Sequence, residues 1–224
     1  MSKVFEIHAF RYCEIIEQAA CHIQAGGIIA VPTDTVYGLA TAAQNQDAVN
    51  RLYNIKGRDP NKPIAICLDA VDSIPLWGDI NSIPLALLNK LLPGPVTVVL
   101  KRLPLLNSLL NPSIPNVGIR IPKCTFMNSL CKMIGMPLAL TSANFSNEQS
   151  ALSPEEFKHL WPQLSAVFHK GELGNIPELR TGSTIVDLTK PDRYCILRSG
   201  SALGVTQSVL KEFGLVEDVT NGVI

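Results

Sequence analysis

Between positions 11 and 25 the apolar residues fall on one helical stripe. Ile15, Ile16, Ala19, Ala20 and Ile23 recur at helical spacing, and Gly26 and Gly27 end the run. The period then changes. Ile28, Ile29, Ala30 and Val31 are continuously apolar, the pattern of a buried strand, and Pro32 stops it. The alternation continues down the chain. A helix capped by Asp47 is predicted to about Ile55, with Ala48, Leu52 and Ile55 on one stripe. Residues 63–68 read as a strand. Residues 84–92 read as a helix ending at Pro93-Gly94-Pro95, and 96–102 and 116–122 as strands. A helix is predicted over 125–134, then a strand in PLALTSAN (137–144) that runs into a polar end. Ser153 is predicted to cap a helix, with Pro154 in its first turn and Glu156 at the capping-box position. STIVDL (183–188) and YCILRSG (194–200) read as late strands, and TQSVLKEF (206–213) as a closing helix.

Helices alternating with strands indicate an α/β fold. Prolines within strands, and hairpin-like spacing between them, favour a mixed sheet. Leu103 to Pro115 reads as a long loop and no internal repeat is present, so residues 1–224 are expected to form one domain. With 46% hydrophobic and 17% charged residues, the 224-residue chain has the composition of a packed globule. Lys plus Arg and Asp plus Glu are both 19, which disfavours a globally basic nucleic-acid binder and leaves a local basic patch open. The six cysteines form no CxxC pair and no zinc spacing with the four histidines, so buried free thiols are expected. No segment approaches membrane-spanning length and no apolar leader is present, so a cytoplasmic protein is expected, with a mitochondrial pool left open.

Polar groups gather at the ends of the apolar strands. Thr33, Asp34 and Thr35 follow the strand at 28–31. TSAN (141–144) brings two hydroxyls and an amide to the place where open α/β sheets bind ligands, although the same residues suit an ordinary turn. Arg120 lies between Ile119 and Ile121, where it either forms an internal ion pair or faces an anionic ligand. Arg198 repeats the pattern before Ser199 and Gly200. KGRDPNKP (56–63) puts Lys56, Arg58 and Lys62 within seven residues, the composition of an anion clamp and equally of a solvated basic turn weakened by Asp59. One cleft collecting these strand ends would carry excess positive charge and suit a ligand with phosphates and a carboxylate. GxxxxGK[ST], GxGxxG and GxSxG are all absent, so any bound ATP would be held by another device.

Taken together, PTDTVYGL (32–39), KGR with Lys62-Pro63, PGPVTVVL (93–100), VGIRIP (117–122), TSAN, STIVD and ILRSG resemble the YrdC/Sua5 family, the threonylcarbamoyl-AMP synthases, in order and spacing from about Ala25 to Gly200. The chain ends soon afterwards, so the single-domain YrdC form is expected, without the extra C-terminal domain of the longer Sua5 type. The resemblance implies a YrdC-like twisted open mixed sheet with flanking helices and a large basic concave cavity. It implies condensation of L-threonine, bicarbonate or CO2 and ATP to threonylcarbamoyl-AMP and pyrophosphate. Mg2+ would accompany the ATP, and the product would pass to a separate complex that modifies position 37 of tRNA.

The resemblance also implies roles for residues. Thr35, Arg120, Ser183, the backbone near Leu140 and the position of Cys67, where some members carry His, would surround the substrate threonine, with Arg120 as carboxylate partner. Lys56, Arg58 and Lys62 would bind ATP, chiefly its phosphates, and Lys56 and Arg58 would be the main electrostatic catalytic groups. Ser142 and Asn144 match the family's SxN pair beside the nucleotide, and Asn116, Ser150 and Arg198 fall at further nucleotide positions. Tyr37 would wall the pocket, and Gly38 would permit a tight turn. Two rival readings use the same residues. One is an RNA-binding protein whose affinity falls steeply with salt and needs no threonine. The other is a carbamoyl-adenylate enzyme with a different substrate, as in hydrogenase-maturation carbamoyltransferases, whose accessory zinc-finger and acylphosphatase modules are missing from these motifs.

Overall fold

The computed structural model describes residues 3–57, 63–146, 148–174 and 177–218. The strands are β1 (Lys3–Glu6), β2 (Ile29–Val31), β3 (Gly38–Ala42), β4 (Ala65–Cys67), β5 (Val96–Lys101), β6 (Asn116–Arg120), β7 (Leu138–Ser142), β8 (Ala166–His169), β9 (Thr184–Asp187), β10 (Arg193–Arg198) and β11 (Val216–Glu217). The α-helices are α1 (Tyr12–Gln24), α2 (Gln46–Lys56), α3 (Leu85–Leu91), α4 (Thr125–Ile134) and α5 (Leu203–Glu212). The strands form one open sheet in the order β1-β8-β2-β3-β7-β4-β6-β5-β9-β10-β11. Pairings are parallel at β1/β8, β2/β8, β4/β6, β5/β9 and β10/β11 and antiparallel at β2/β3, β3/β7, β4/β7, β5/β6 and β9/β10, so the sheet is mixed.

Apolar side chains cover both faces, which is why several strands read as unbroken apolar runs. In β2, Ala30 packs into the larger core, while Ile29 and Val31 join the smaller core beneath α1 and α4. In β4, Ile66 and Cys67 divide in the same way. The stripe of α1 is buried as its spacing predicted, at Ile15, Ile16, Ala19, Ala20 and Ile23.

Several expectations are corrected. The cap of α2 is Asn45, whose Oδ1 accepts from the Ala48 amide at 3.0 Å, and Asp47 lies inside the first turn. Residues Pro154–Gln163 form 3-10 turns kinked at Phe157, with no capping bond from the Ser153 side chain. Phe157 is fully buried with its ring 5.3 Å from that of Tyr37, and this contact wins over a regular helix. Gly38 makes no turn. It lies within β3, where a Cβ would stand 2.8 Å from Leu140 Cδ1 and 3.1 Å from the Thr141 carbonyl oxygen, so it allows close approach of β7. Strands β1, β3, β8 and β11 were not anticipated.

The loop after β5 is held without regular structure. Arg102 Nη1 donates to the Leu110 carbonyl at 2.8 Å, and Nη2 donates to those of Leu106 and Asn107 at 3.2 and 2.7 Å. Among the described residues no helix is long and apolar enough to cross a membrane.

Candidate active site

Side chains alternate across a strand, so residue parity shows which face the site occupies. Ala40 and Ala42 of β3, Leu138 and Leu140 of β7 and Cys67 of β4 all point toward the α1/α4 side. Val96 and Val98 of β5 and Val186 of β9 point the other way, leaving Thr97 and Ile185 on the α1/α4 side. α1 packs over β2, β3 and β8. Farther along the same face lies a cleft of about 650 Å³, including its open mouth. Gly38, Ala65, Thr97, Leu140 and Ile185 line it together with Thr33, Val36, Tyr37 and Pro63. Arg120, Thr141, Ser142, Ser150, Gly182, Ser183 and Arg198 complete the wall. The small residues at 38 and 65 keep the floor low.

Arg120, at the C-terminal end of β6, resolves its open alternatives in an unexpected way: it has an ion pair and still lines the cleft. Its Nη2 donates to Asp34 Oδ1 at 2.6 Å and to Thr35 Oγ1 at 2.7 Å. Asp34 Oδ2 also accepts from the Lys123 amide at 2.9 Å, which ties the two strand ends together. The Arg120 Nε is buried without a partner. Thr33 is spent on its own turn. Its hydroxyl donates to the Val36 carbonyl at 2.7 Å and accepts from the amides of Thr35 and Val36 at 3.1 and 3.2 Å. Thr35 is 1% exposed and sits behind Arg120, outside the cleft lining.

Arg198 approaches from β10. Its Nε and Nη2 donate to the Ser183 carbonyl at 3.0 and 2.8 Å, and Nη2 also reaches Ser183 Oγ at 3.0 Å. Ser183 Oγ is in turn 2.8 Å from Thr97 Oγ1. Burial, and after it the Arg120 charge, holds the Arg198 guanidinium below its ordinary value. Two guanidinium groups therefore share one cleft, with the Asp34 carboxylate bound to only the first of them.

Lys56 ends α2 and is 9% exposed. Its ammonium donates to the Ser142 carbonyl at 2.8 Å and to the Asn144 carbonyl, with Ser142 Oγ and Asn144 Oδ1 each at 3.4 Å. Ser146 Oγ closes the junction by donating to the Lys56 carbonyl at 2.8 Å. Lys56 thus binds the TSAN segment at the cleft's edge. Asn144 donates from Nδ2 to the carbonyls of Phe145 and Glu148 at 2.8 and 2.7 Å.

Of the residues singled out from sequence, Arg120, Leu140, Ser142, Ser150, Ser183 and Arg198 line the one cleft. Lys56 and Asn144 adjoin it through Ser142, and Thr35 through Arg120. Cys67 is fully buried beneath α4, 3.6 Å from the Cys131 sulfur. The hydrogen bond to Cys67, then burial, pushes the Cys131 thiol well above its usual range. Asn116 opens β6, four residues from Arg120, about 13 Å along the strand. Arg58 and Lys62 lie outside the described residues. Thr97 was missed, although a lone hydroxyl in the phase opposite to Val96 and Val98 was a legible signal. Asp34 as the partner of Arg120 was missed because 86 residues separate them.

Tyr37 is a fully buried part of the wall. Its hydroxyl donates to the Gly171 carbonyl at 2.6 Å and accepts from the Lys170 amide at 3.2 Å. Burial raises its phenol from 10.0 to about 12. The folded state thus prefers the neutral phenol. Its stabilising contribution is whole below pH 10 and is lost as pH rises through about 12. Tyr37→Phe is expected to flatten this part of the alkaline stability loss, as read from urea denaturation at several pH values.

Comparison with known proteins gives four consistent findings. The family model Sua5/YciO/YrdC, which carries the description "Telomere recombination", matches residues 21–200. The "Threonylcarbamoyl-AMP synthase" of Bos taurus is 46% identical over 207 residues, spanning 92% of this chain and 75% of that protein. The human protein of the same name is 47% identical over 208 residues, spanning 92% and 74%. The structure of Pyrococcus abyssi Sua5 complexed with L-threonine superposes with a TM-score of 0.76 at 27% identity, covering 89% of this chain and 57% of that one.

Proposed function

Because the chain belongs to the Sua5/YciO/YrdC family, we propose that it is an L-threonylcarbamoyladenylate synthase, a nucleotidyltransferase that joins L-threonine, bicarbonate (or CO2) and ATP into threonylcarbamoyl-AMP and pyrophosphate. The observation that carries this reading is the convergence of Arg120 and Arg198, with the hydroxyls of Thr97, Ser142 and Ser183, on one cleft of about 650 Å³. The paired guanidinium groups suit a substrate bearing several negative charges.

In this reading the threonine amine attacks the carbon of bicarbonate or CO2. A C–N bond forms; with bicarbonate a water leaves, and with CO2 the amine gives up a proton to solvent. A carbamate oxygen then attacks the α-phosphorus, and the bond to the β-phosphate oxygen breaks to release pyrophosphate. The reaction brings two anions together, so positioning and charge neutralisation are the main contributions of the protein. Arg120 receives the threonine carboxylate. Arg198, Ser142 and Asn144 lie toward the nucleotide, and Lys56, Arg58 and Lys62 serve the triphosphate side. Among the described residues no cluster of three or more His, Cys, Asp or Glu could hold a metal ion, and Asp34 is engaged by Arg120 and Lys123. These residues therefore form no cage for Mg2+, and no step is assigned to it. The product would feed a tRNA threonylcarbamoyl-transfer complex.

The test is pyrophosphate release from purified protein with ATP, Mg2+, bicarbonate and L-threonine, each omitted in turn and with L-serine replacing threonine. Release that needs every substrate and falls with serine is expected. Arg120→Ala is expected to raise the threonine KM about 100-fold while leaving the ATP KM within about twofold. No release from folded wild-type protein overturns the reading.

A further inference from the structure

We infer that Asp34 is a positioning residue that fixes the guanidinium of Arg120 and decides which of its donors a substrate meets; the inference rests on the synthase reading above. A guanidinium offers two edges for a two-pronged grip on a carboxylate. One edge joins Nη1 to Nη2 and the other joins Nε to Nη2, so both need Nη2. Here both hydrogens of Nη2 are committed, one to Asp34 Oδ1 at 2.6 Å and one to Thr35 Oγ1 at 2.7 Å. Neither two-pronged edge is open. Nε is buried and unpartnered, and among the described residues Nη1 makes no hydrogen bond. Arg120 lines the cleft with 9% of its side chain exposed. The incoming carboxylate therefore meets Nη1 alone, in a single charge-assisted hydrogen bond.

The orphaned Nε supports the assignment. A guanidinium free to rotate would present that donor to water or to a carbonyl, because a buried unsatisfied donor is costly. Asp34 and Thr35 hold the far end of the same guanidinium. Asp34 is pinned in turn, with Oδ2 on the Lys123 amide at 2.9 Å and only 10% of its side chain exposed. Thr35, expected from sequence to touch substrate, gives a lone pair to Arg120, so Asp34 and Thr35 form one cradle for the guanidinium.

The experiment is a double-mutant cycle on the full chain with wild type, Asp34→Asn, Arg120→Ala and the double variant. Each is assayed for threonine-dependent pyrophosphate release and for thermal unfolding. Asp34→Asn is expected to raise the threonine KM about 10- to 100-fold, with kcat and the ATP KM within about twofold. In the Arg120→Ala background the same change is expected to add less than about twofold, because Asp34 acts only through Arg120. Multiplicative effects, or equal losses for threonine and ATP, would overturn the inference and leave the synthase reading standing. Wild-type protein that releases no pyrophosphate would overturn both.

Discussion

Lys56→Ala is expected to lower threonine-dependent pyrophosphate release about a thousandfold, a loss in the range seen when a fixed electrostatic group is removed from a closed site. The reason is visible at the end of α2. One ammonium satisfies the carbonyls of Ser142 and Asn144 and stands 3.4 Å from Ser142 Oγ and Asn144 Oδ1. Alanine removes the positive charge and also frees the segment that carries the two nucleotide-side groups. Stability is expected to fall as well, by about 1–3 kcal/mol, because buried carbonyls lose their donor. Stopped assays on protein shown to be folded by circular dichroism separate the effects. Near-wild-type turnover would remove Lys56 from the mechanism.

The largest loss of stability is expected at Gly200. A Cβ there would lie 2.3 Å from both the Ser183 carbonyl carbon and the Thr184 nitrogen. These are main-chain atoms that cannot rotate aside. They open β9, whose Thr184 amide bonds the Pro95 carbonyl at 2.9 Å. Gly200→Ala is expected to cost about 3 kcal/mol or more, as overpacking against backbone does, and to displace the Ser183 carbonyl that receives Arg198. Gly204→Ala is the control. Nothing lies within 4 Å of that Cβ, and α5 gains a better helix former. Urea midpoints of the two variants should move in opposite directions.

The elements legible in sequence were those whose period matched their burial, such as α1 with its one apolar stripe and β5 and β6 with their β-branched runs. GLATA of β3 was missed because glycine and alanine carry little strand signal; it is small because β7 passes so close. β1 has mostly exposed residues and is defined by its parallel pairing to β8, a contact across 163 residues. The cap of α2 fell on Asn45 rather than Asp47 because two capping-type residues lie two positions apart, and only backbone geometry chooses between them. At the site, single charges inside apolar strands were readable as Arg120 and Arg198. Their partners were not, since pairing across a sheet depends on strand order. Cys67 shows the reverse limit: its strand was readable, but α4 lies over its side chain, and no local pattern reveals that.

The loops around the cleft are read mainly through their carbonyls. Lys56 holds Ser142 and Asn144 in this way, Arg198 holds Ser183, Tyr37 holds Gly171 and Arg180 holds Ser150. A carbonyl is the same whichever residue bears it. The burden of keeping shape thus falls on a few long side chains at fixed positions, while the loop residues they grip are left free to change. Substitutions can accumulate along the rim, retuning what enters, without the rim losing its place, whereas the gripping lysine, arginines and tyrosine have no such latitude.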